Sequence, residues 1–280
     1  MHITKAIITA AGKSQAHLPL QSVVSRSGDV CTALETLLDD VAQAGVDQIA
    51  VVICPGTVPQ YCQAAGSYAD RLTFFEQDQP RGYGDALLRA RSFVGDQPFL
   101  HLVSDHLYVS RTQRSCAAQL IELAQREQCS ISAVQPTREN QLSYFGVIGG
   151  TPVPLKPRLY QVAEVIEKPT PTIAEQRLIV AGQRAGNYLC LFGMHVLTAA
   201  IFDLLEQQLP RLQSNQSLNL TDSLNQLARS QRYLAGELDG VRYNIGQKYG
   251  LLIAQLAIAL SGEDRDRVLT ELVQLLGDNR

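Results

Sequence analysis

No apolar run in this 280-residue chain is long enough to cross a bilayer, which takes about 20 residues. The longest late stretch, Leu251–Leu260, is short and carries Gln255. Met1–Lys5 lacks the charged start of a secretory signal, and no cleavage pattern follows. No membrane partner is therefore expected, and a cytoplasmic location is. Paired cysteines are absent too. None of Cys31, Cys54, Cys62, Cys116, Cys129 and Cys190 forms a C-x-x-C pair, so zinc and dithiol redox sites are not expected and the six read as reduced thiols. Strong charge is also missing. A net charge of −3 argues against a nucleic-acid surface. The histidines are scattered. His101, Asp105 and His106 lie close in sequence, but neighbours in an extended strand point to opposite faces. Asp105 and His106 are thus expected to diverge, and a two-histidine metal site is not expected.

What is present suits a sizeable core: 45% of residues are hydrophobic and 18% charged. Strand and helix patterns alternate. Ala6–Thr9, Gln48–Cys54, Leu72–Phe75, Phe99–Val103 and Ser130–Val134 read as strands. Thr32–Ala44, Val58–Ala69, Asp85–Phe93 and Cys116–Glu127 read as helices between them. That rhythm predicts an α/β fold with a mostly parallel, Rossmann-like sheet covered on both faces. It breaks at Arg138–Lys168, where prolines and glycines flank the strand-like runs Tyr144–Ile148 and Leu159–Ile166. These predict a small β lobe laid over the first sheet. Asn187–Met194 reads as a further strand, and Leu197–Leu209 and Leu218–Ala228 as helices. Tyr233–Asn244 reads as a hairpin turning at Asp239-Gly240. Two C-terminal helices follow, Lys248–Leu260 and Asp264–Leu276. The second carries a stripe of Val268, Leu272, Val273 and Leu276; it is expected to pack on the chain's own body, a homo-oligomer contact being the alternative. The expected division is 1–247, with the lobe near 138–168, and a helical segment 248–280.

The stretch Lys5–Pro19, KAIITAAGKSQAHLP, organises the rest. A buried strand runs straight into Gly12, and glycine there allows a tight turn and close approach to a ligand. In α/β sheets ligands bind at such carboxyl ends. On local pattern alone this is a first strand with an ordinary turn. Asp105, at another strand end, is the better local candidate.

Several motifs in order change that reading. Glu76–Tyr108 contains Gln77, Pro80, Gly82, Gly84, Ala86, Phe93–Asp96 and Pro98-Phe99, then Asp105. Tyr144-Phe145-Gly146-Val147, Val165–Pro169 (VIEKP), Leu197–Glu206, Leu220-Thr221-Asp222 and Arg242–Gly250 (RYNIGQKYG) follow. Together, from about Lys5 to Leu260, the chain resembles the bacterial UTP–glucose-1-phosphate uridylyltransferases, within the sugar-nucleotide pyrophosphorylase group. The resemblance implies the nucleotidyltransferase fold, with UTP and a sugar 1-phosphate, or their nucleotide sugar, as partners and Mg²⁺ as cofactor. It implies that Ala10, Ala11, Gly12, Gln77, Gly82 and Gly84 bind the nucleotide. Gly146, Glu167 and Lys168 would bind the sugar and its phosphate. Asp105 and Lys168 would be catalytic, and Asp105 with Asn244 would hold the metal. A planar amide suits the imide edge of uracil. A carboxylate beside an ammonium suits a molecule that is hydroxylic at one end and anionic at the other.

The same comparison shows breaks. The family loop Ala-Ala-Gly-x-Gly-Thr-Arg reads Ala10-Ala11-Gly12-Lys13-Ser14-Gln15-Ala16 here. Its downstream lysines fall near Ser22 and Arg26. Asn244 stands where a second metal carboxylate is usual, and Asp85 where the family has histidine. An arginine neutralising a phosphoryl-transfer transition state is worth about 10³–10⁵ in rate. Two readings follow: a pyrophosphorylase whose phosphate contacts are rebuilt with Lys13, Arg26 or Lys248, or a catalytically impaired relative that binds a nucleotide sugar or a protein partner. On the second, Lys5–Pro19 recognises but does not react.

Overall fold

The computed structural model describes residues 1–212 and 216–278. Lys5–Thr9 (β1) is buried along Ala6–Ile8, as a strand covered on both faces must be. A short hairpin of Ser22–Val24 (β2) and Val30–Thr32 (β3) follows. Thr32 then starts Ala33–Gln43 (α1): its hydroxyl accepts from Glu35 N, and the Glu35 carboxylate accepts from Thr32 N. This reciprocal cap explains why the helix begins there. Leu34, Leu37, Leu38 and Val41 of α1 are buried against the sheet. Gln48–Ile53 (β4), Val58–Ala64 (α2), Leu72–Glu76 (β5), Tyr83–Arg89 (α3), Arg91–Val94 (α4) and Phe99–Val103 (β6) complete the parallel half. The expected helix Val58–Ala69 stops early and gives way to a 3₁₀ turn at Gly66–Arg71, where Gly66 takes φ +52°. The expected helix Asp85–Phe93 begins earlier, at Tyr83, and is split at Ala90.

After His106–Ser110 (β7) and Cys116–Glu127 (α5) come Ser130–Arg138 (β8), Gly146–Pro152 (β9), Leu159–Glu167 (β10), Pro171–Arg177 (α6) and Asn187–Leu197 (β11). Ala200–Gln208 (α7), Leu220–Ser230 (α8), Tyr233–Glu237 (β12) and Gly240–Asn244 (β13) lead to Gly250–Leu260 (α9) and Arg265–Asp278 (α10). The central sheet is nine-stranded, in the order β5-β4-β1-β6-β11-β8-β12-β10-β9. Strands β5, β4, β1 and β6 are parallel, and β8 is parallel to β12. Only β10 and β11 run against the others. The sheet is therefore mostly parallel in direction.

The hairpin β9–β10 is not laid over the sheet but joined to it. Strand β10 bonds to β12, and β9 bonds to β11 through Ile148 and Val147. It does own a small separate core of Leu142, Phe145, Val147, Ala174, Leu178, Tyr188 and Cys190. The Tyr233–Asn244 hairpin does not form. Strand β12 joins β8 inside the sheet, while β13 pairs with β7 in a separate ribbon. The Asp239-Gly240 turn signal was local; the buried partner of each strand lies elsewhere in the chain. Helix α9 docks through Ala254 and Ile258, and Gln255 bonds to both N and O of Val24. Along α10, Val268 and Leu272 are half-buried, but Val273 and Leu276 of the expected packing stripe are exposed. No helix among the described residues is long and apolar enough to cross a membrane.

Candidate active site

The carboxyl ends of β1, β5 and β6 open into a cleft of about 650 Å³. Ala11 and Gly12 follow β1, Gln77 follows β5, and Asp105 follows β6; Gly82 enters from the start of α3. Gly146, Glu167 and Lys168 face it from the ends of β9 and β10, and Asn244 from the end of β13. Ala10 and Gly84 do not line it. Ala10 is buried, its N–H donating to Val52 O. A Cβ on Gly84 would meet Leu205 at 2.6 Å, so this glycine serves helix packing rather than ligand approach.

The loop after β1 is closed on itself: Gly12 O accepts from both Gln15 N and Ala16 N at 2.8 Å. The N–H groups of Ala11, Gly12, Lys13 and Ser14 take no acceptor among the described residues, and all four residues line the cleft. Consecutive unpaired amides make a concavity suited to an anion. Ala16 lies outside the cleft lining, with its carbonyl held by the Tyr61 hydroxyl at 2.8 Å.

Asp105 and His106 do not diverge. Asp105 lies in the turn between β6 and β7 rather than in a strand, so the alternation of an extended chain does not apply. Asp105 Oδ1 is 3.0 Å from His106 Nδ1, off the line of an N–H bond, so both ring nitrogens of buried His106 lack a hydrogen-bond partner among the described residues. Burial pushes the Asp105 carboxyl up, but neighbouring His106, the residue's own backbone N–H and the Lys168 charge outweigh it and hold the carboxyl below its usual range. The β7–β13 ribbon sets Asn244 opposite His106, and Ile245 N donates to Asp105 O at 2.8 Å. Asp105 and Asn244 are thereby brought to one end of the site. Asn244 Oδ1 accepts from Gly246 N at 2.9 Å, which uses one of its two lone pairs.

Glu167 Oε2 accepts from the Thr221 hydroxyl at 3.0 Å, so the start of α8 orients it. Lys168 adopts φ +45° and donates its N–H to Phe145 O. Its ammonium stands 3.9 Å from Glu167, and both side chains are about half exposed, open to a ligand. Phe145 stacks on the Arg242 guanidinium, 3.8 Å from its ring centre. Burial lowers that guanidinium to about 10.

Beneath the cleft lies a buried polar layer absent from the sequence reading. His101 Nε2 contacts the Thr9 and Tyr83 hydroxyls, each at 3.2 Å. His101 stacks on His195, which is hydrogen-bonded to Ser132, which in turn meets the Tyr233 hydroxyl. Burial, with His195 adding to it, holds His101 well below the usual imidazole value, and burial lowers His195 to about 4. Tyr83, Gly193 and His195 line the cleft. Tyr83 lay in plain view between two matched glycines; His195 and Gly193 carried no sequence signal.

A family model described as nucleotidyl transferase matches residues 5–258. The chain belongs to the nucleotidyl transferase family. Within it, the chain is 33% identical over 208 residues to a UTP–glucose-1-phosphate uridylyltransferase of Streptococcus pneumoniae serotype 4, covering 73% of this chain and 65% of that one. It is 29% identical over 286 aligned positions to such a protein of Streptococcus pyogenes serotype M3, covering 92% of this chain and 89% of the other. The fold matches a UDP-glucose pyrophosphorylase complexed with UDP-glucose at TM-score 0.74 and 23% identity, over 91% of this chain and 98% of that one. It matches a UTP-bound UGPase from Acinetobacter baumannii at TM-score 0.74 and 20% identity, over 98% and 99%. For this nucleotidyl transferase, two structural likenesses below 25% identity speak for the fold, and the family match speaks for the class of chemistry.

Proposed function

We propose that the chain joins UTP to glucose 1-phosphate, or a close pair, forming a nucleotide sugar and releasing pyrophosphate. One observation carries the reading: Gln77, Asp105 and the adjacent pair Glu167 and Lys168, from three separate segments, line a single cleft. In the step, a phosphate oxygen of the sugar phosphate attacks the α-phosphorus of the triphosphate. The bond from that phosphorus to the bridging oxygen breaks, and the electron pair leaves with pyrophosphate. Positioning and charge stabilisation dominate such transfers. Lys168 supports the attacking phosphate and Glu167 the sugar hydroxyls. The unpaired loop amides and Lys13 face the triphosphate in place of the missing arginine.

Mg²⁺ fits a donor set of this kind, since it is commonly held by one or two carboxylates plus substrate phosphates. Asp105 would hold it, with the remaining lone pair of Asn244 Oδ1 beside it. Bound there, it would neutralise phosphate charge. All cleft-lining residues fall within 1–247, which we take as the working unit, with 248–280 as a helical appendage. A cytoplasmic location fits the same reading.

The test is pyrophosphate release from purified protein with UTP, glucose 1-phosphate and Mg²⁺. Release above a blank is expected. Silence with every common nucleotide and sugar phosphate overturns the enzyme reading. Calorimetric binding of UDP-glucose without turnover would identify a binding-only relative.

A further inference from the structure

The side chain that would read the base is itself held by an acid. Gln77 follows β5, its backbone N–H donating to Ile53 O at 2.9 Å. Its Nε2 donates to Asp85 Oδ2 at 2.7 Å and to Gly82 O at 3.1 Å. Both partners can only accept, so both amide hydrogens are committed inward. Gln77 Oε1 takes no donor among the described residues, and Gln77 lines the cleft. Gln77 is 7% exposed and Asp85 4%, so neither is free to turn into solvent. Arg89, one helical turn on, places Nη2 3.5 Å from Asp85 Oδ2 and offsets part of its charge.

We propose that Asp85 is a positioning residue that locks the Gln77 amide with its carbonyl toward the ligand, so that the site demands a hydrogen-bond donor on the central edge of the base. The inference rests on the nucleotide reading above and adds the direction of the readout. Uracil carries N3–H at that edge. Cytosine carries an unprotonated N3, whose lone pair would face the Gln77 oxygen. The two pyrimidines share size and ribose attachment but differ at the 4-position as well as at N3, so it is the change in the UDP-to-CDP ratio on Asp85→Asn, together with N3-methyl-UDP, that reports this contact. Asparagine at position 85 can both donate and accept. It would leave Gly82 O alone to hold the Gln77 amide, making the reversed amide, and with it cytosine, less costly.

Leaving a buried polar group mispaired costs about 1–3 kcal/mol, a factor of roughly 5–150 in affinity. By calorimetry in Mg²⁺ buffer, the protein should bind UDP at least about tenfold tighter than CDP. N3-methyl-UDP, which lacks the donor, should lose a similar factor. In Asp85→Asn the UDP-to-CDP ratio should fall about tenfold. A general weakening of the fold would scale both nucleotides together and leave the ratio alone. An unchanged ratio in Asp85→Asn overturns the proposal. So does wild-type protein that takes N3-methyl-UDP as tightly as UDP, a result that needs no variant to fold. If wild-type protein binds no UDP at all, the nucleotide reading itself falls, and the first titration shows it.

Discussion

Lys13 stands in the loop after β1 beside unpaired amides. If it has taken over charge from the absent arginine, Lys13→Ala should lower pyrophosphate release about ten- to a hundredfold, the scale of one charged hydrogen bond. Circular dichroism should be unchanged, because Lys13 is exposed. Gly146 makes a different point. A Cβ there would lie 2.9 Å from Leu191 Cδ1 and 3.0 Å from Glu167 Oε2. Both are ends of side chains that can move, so Gly146→Ala should cost about 1 kcal/mol of stability, the low end for an added methyl in a packed site. Moving Glu167 off its Thr221 bond should raise KM for the sugar phosphate about tenfold, since small misplacements are expensive in transfer reactions. Titrating glucose 1-phosphate at saturating UTP checks it. At this scale the placing of Gln77, Asp105, Glu167 and Lys168 on one cleft was legible because each sits in a contiguous stretch that matches a family motif. The His101–His195–Ser132–Tyr233 layer was not, because its members come from four strands and meet only across the sheet.

Strand β11 is the element that shapes the cleft floor. Its register against β8 shifts between Leu191 and His195, and Gly193 within that shift takes φ +83°. A side chain there would sit 2.7 Å from Val103 Cγ2, and the backbone conformation disfavours any residue but glycine. Gly193→Ala should therefore lose about 1–3 kcal/mol of stability, measured by urea unfolding. A loss below about 0.5 kcal/mol would mean that the bulge is not under constraint. The β7–β13 ribbon plays the matching part on the other side, fixing Asn244 beside Asp105. Neither device was visible in the sequence. A bulge is one residue out of register with a distant partner, and the Asp239-Gly240 signal pointed to the wrong partner.

Across the molecule, desolvated ionisable groups set an opposed pH balance. His195 is lowered from 6.5 to about 4 by burial. Its contribution is present above about pH 6.5 and is lost as pH falls toward 4, a change of about 3 kcal/mol. Desolvation raises half-buried Asp40, on α1 with its carboxylate on the first N–H groups of α5, from 3.8 to about 6, against the pull of its Ser115 and backbone bonds. Its contribution is present below 3.8 and is lost as pH rises through 6, by a similar amount. The two nearly offset between pH 4 and 6.5, and His101 tips the sum toward acid instability. Asp40→Asn removes the opposing group, so Tm should fall more steeply from pH 6.5 to pH 4 than in wild-type protein. A parallel pair of curves would refute this assignment.

The sequence by itself determined the elements of the parallel half and the motif residues that come to line the cleft. Apolar periodicity, caps and glycine turns act over a few residues, and those forces are written locally. Only the tertiary structure decided which strand joined which sheet, that Asp105 turns toward His106, that Asp85 holds Gln77, and that the loop amides after Gly12 remain unpaired. Each of these depends on what residues distant in sequence leave buried or unbonded, and that is settled when the sheet closes around them.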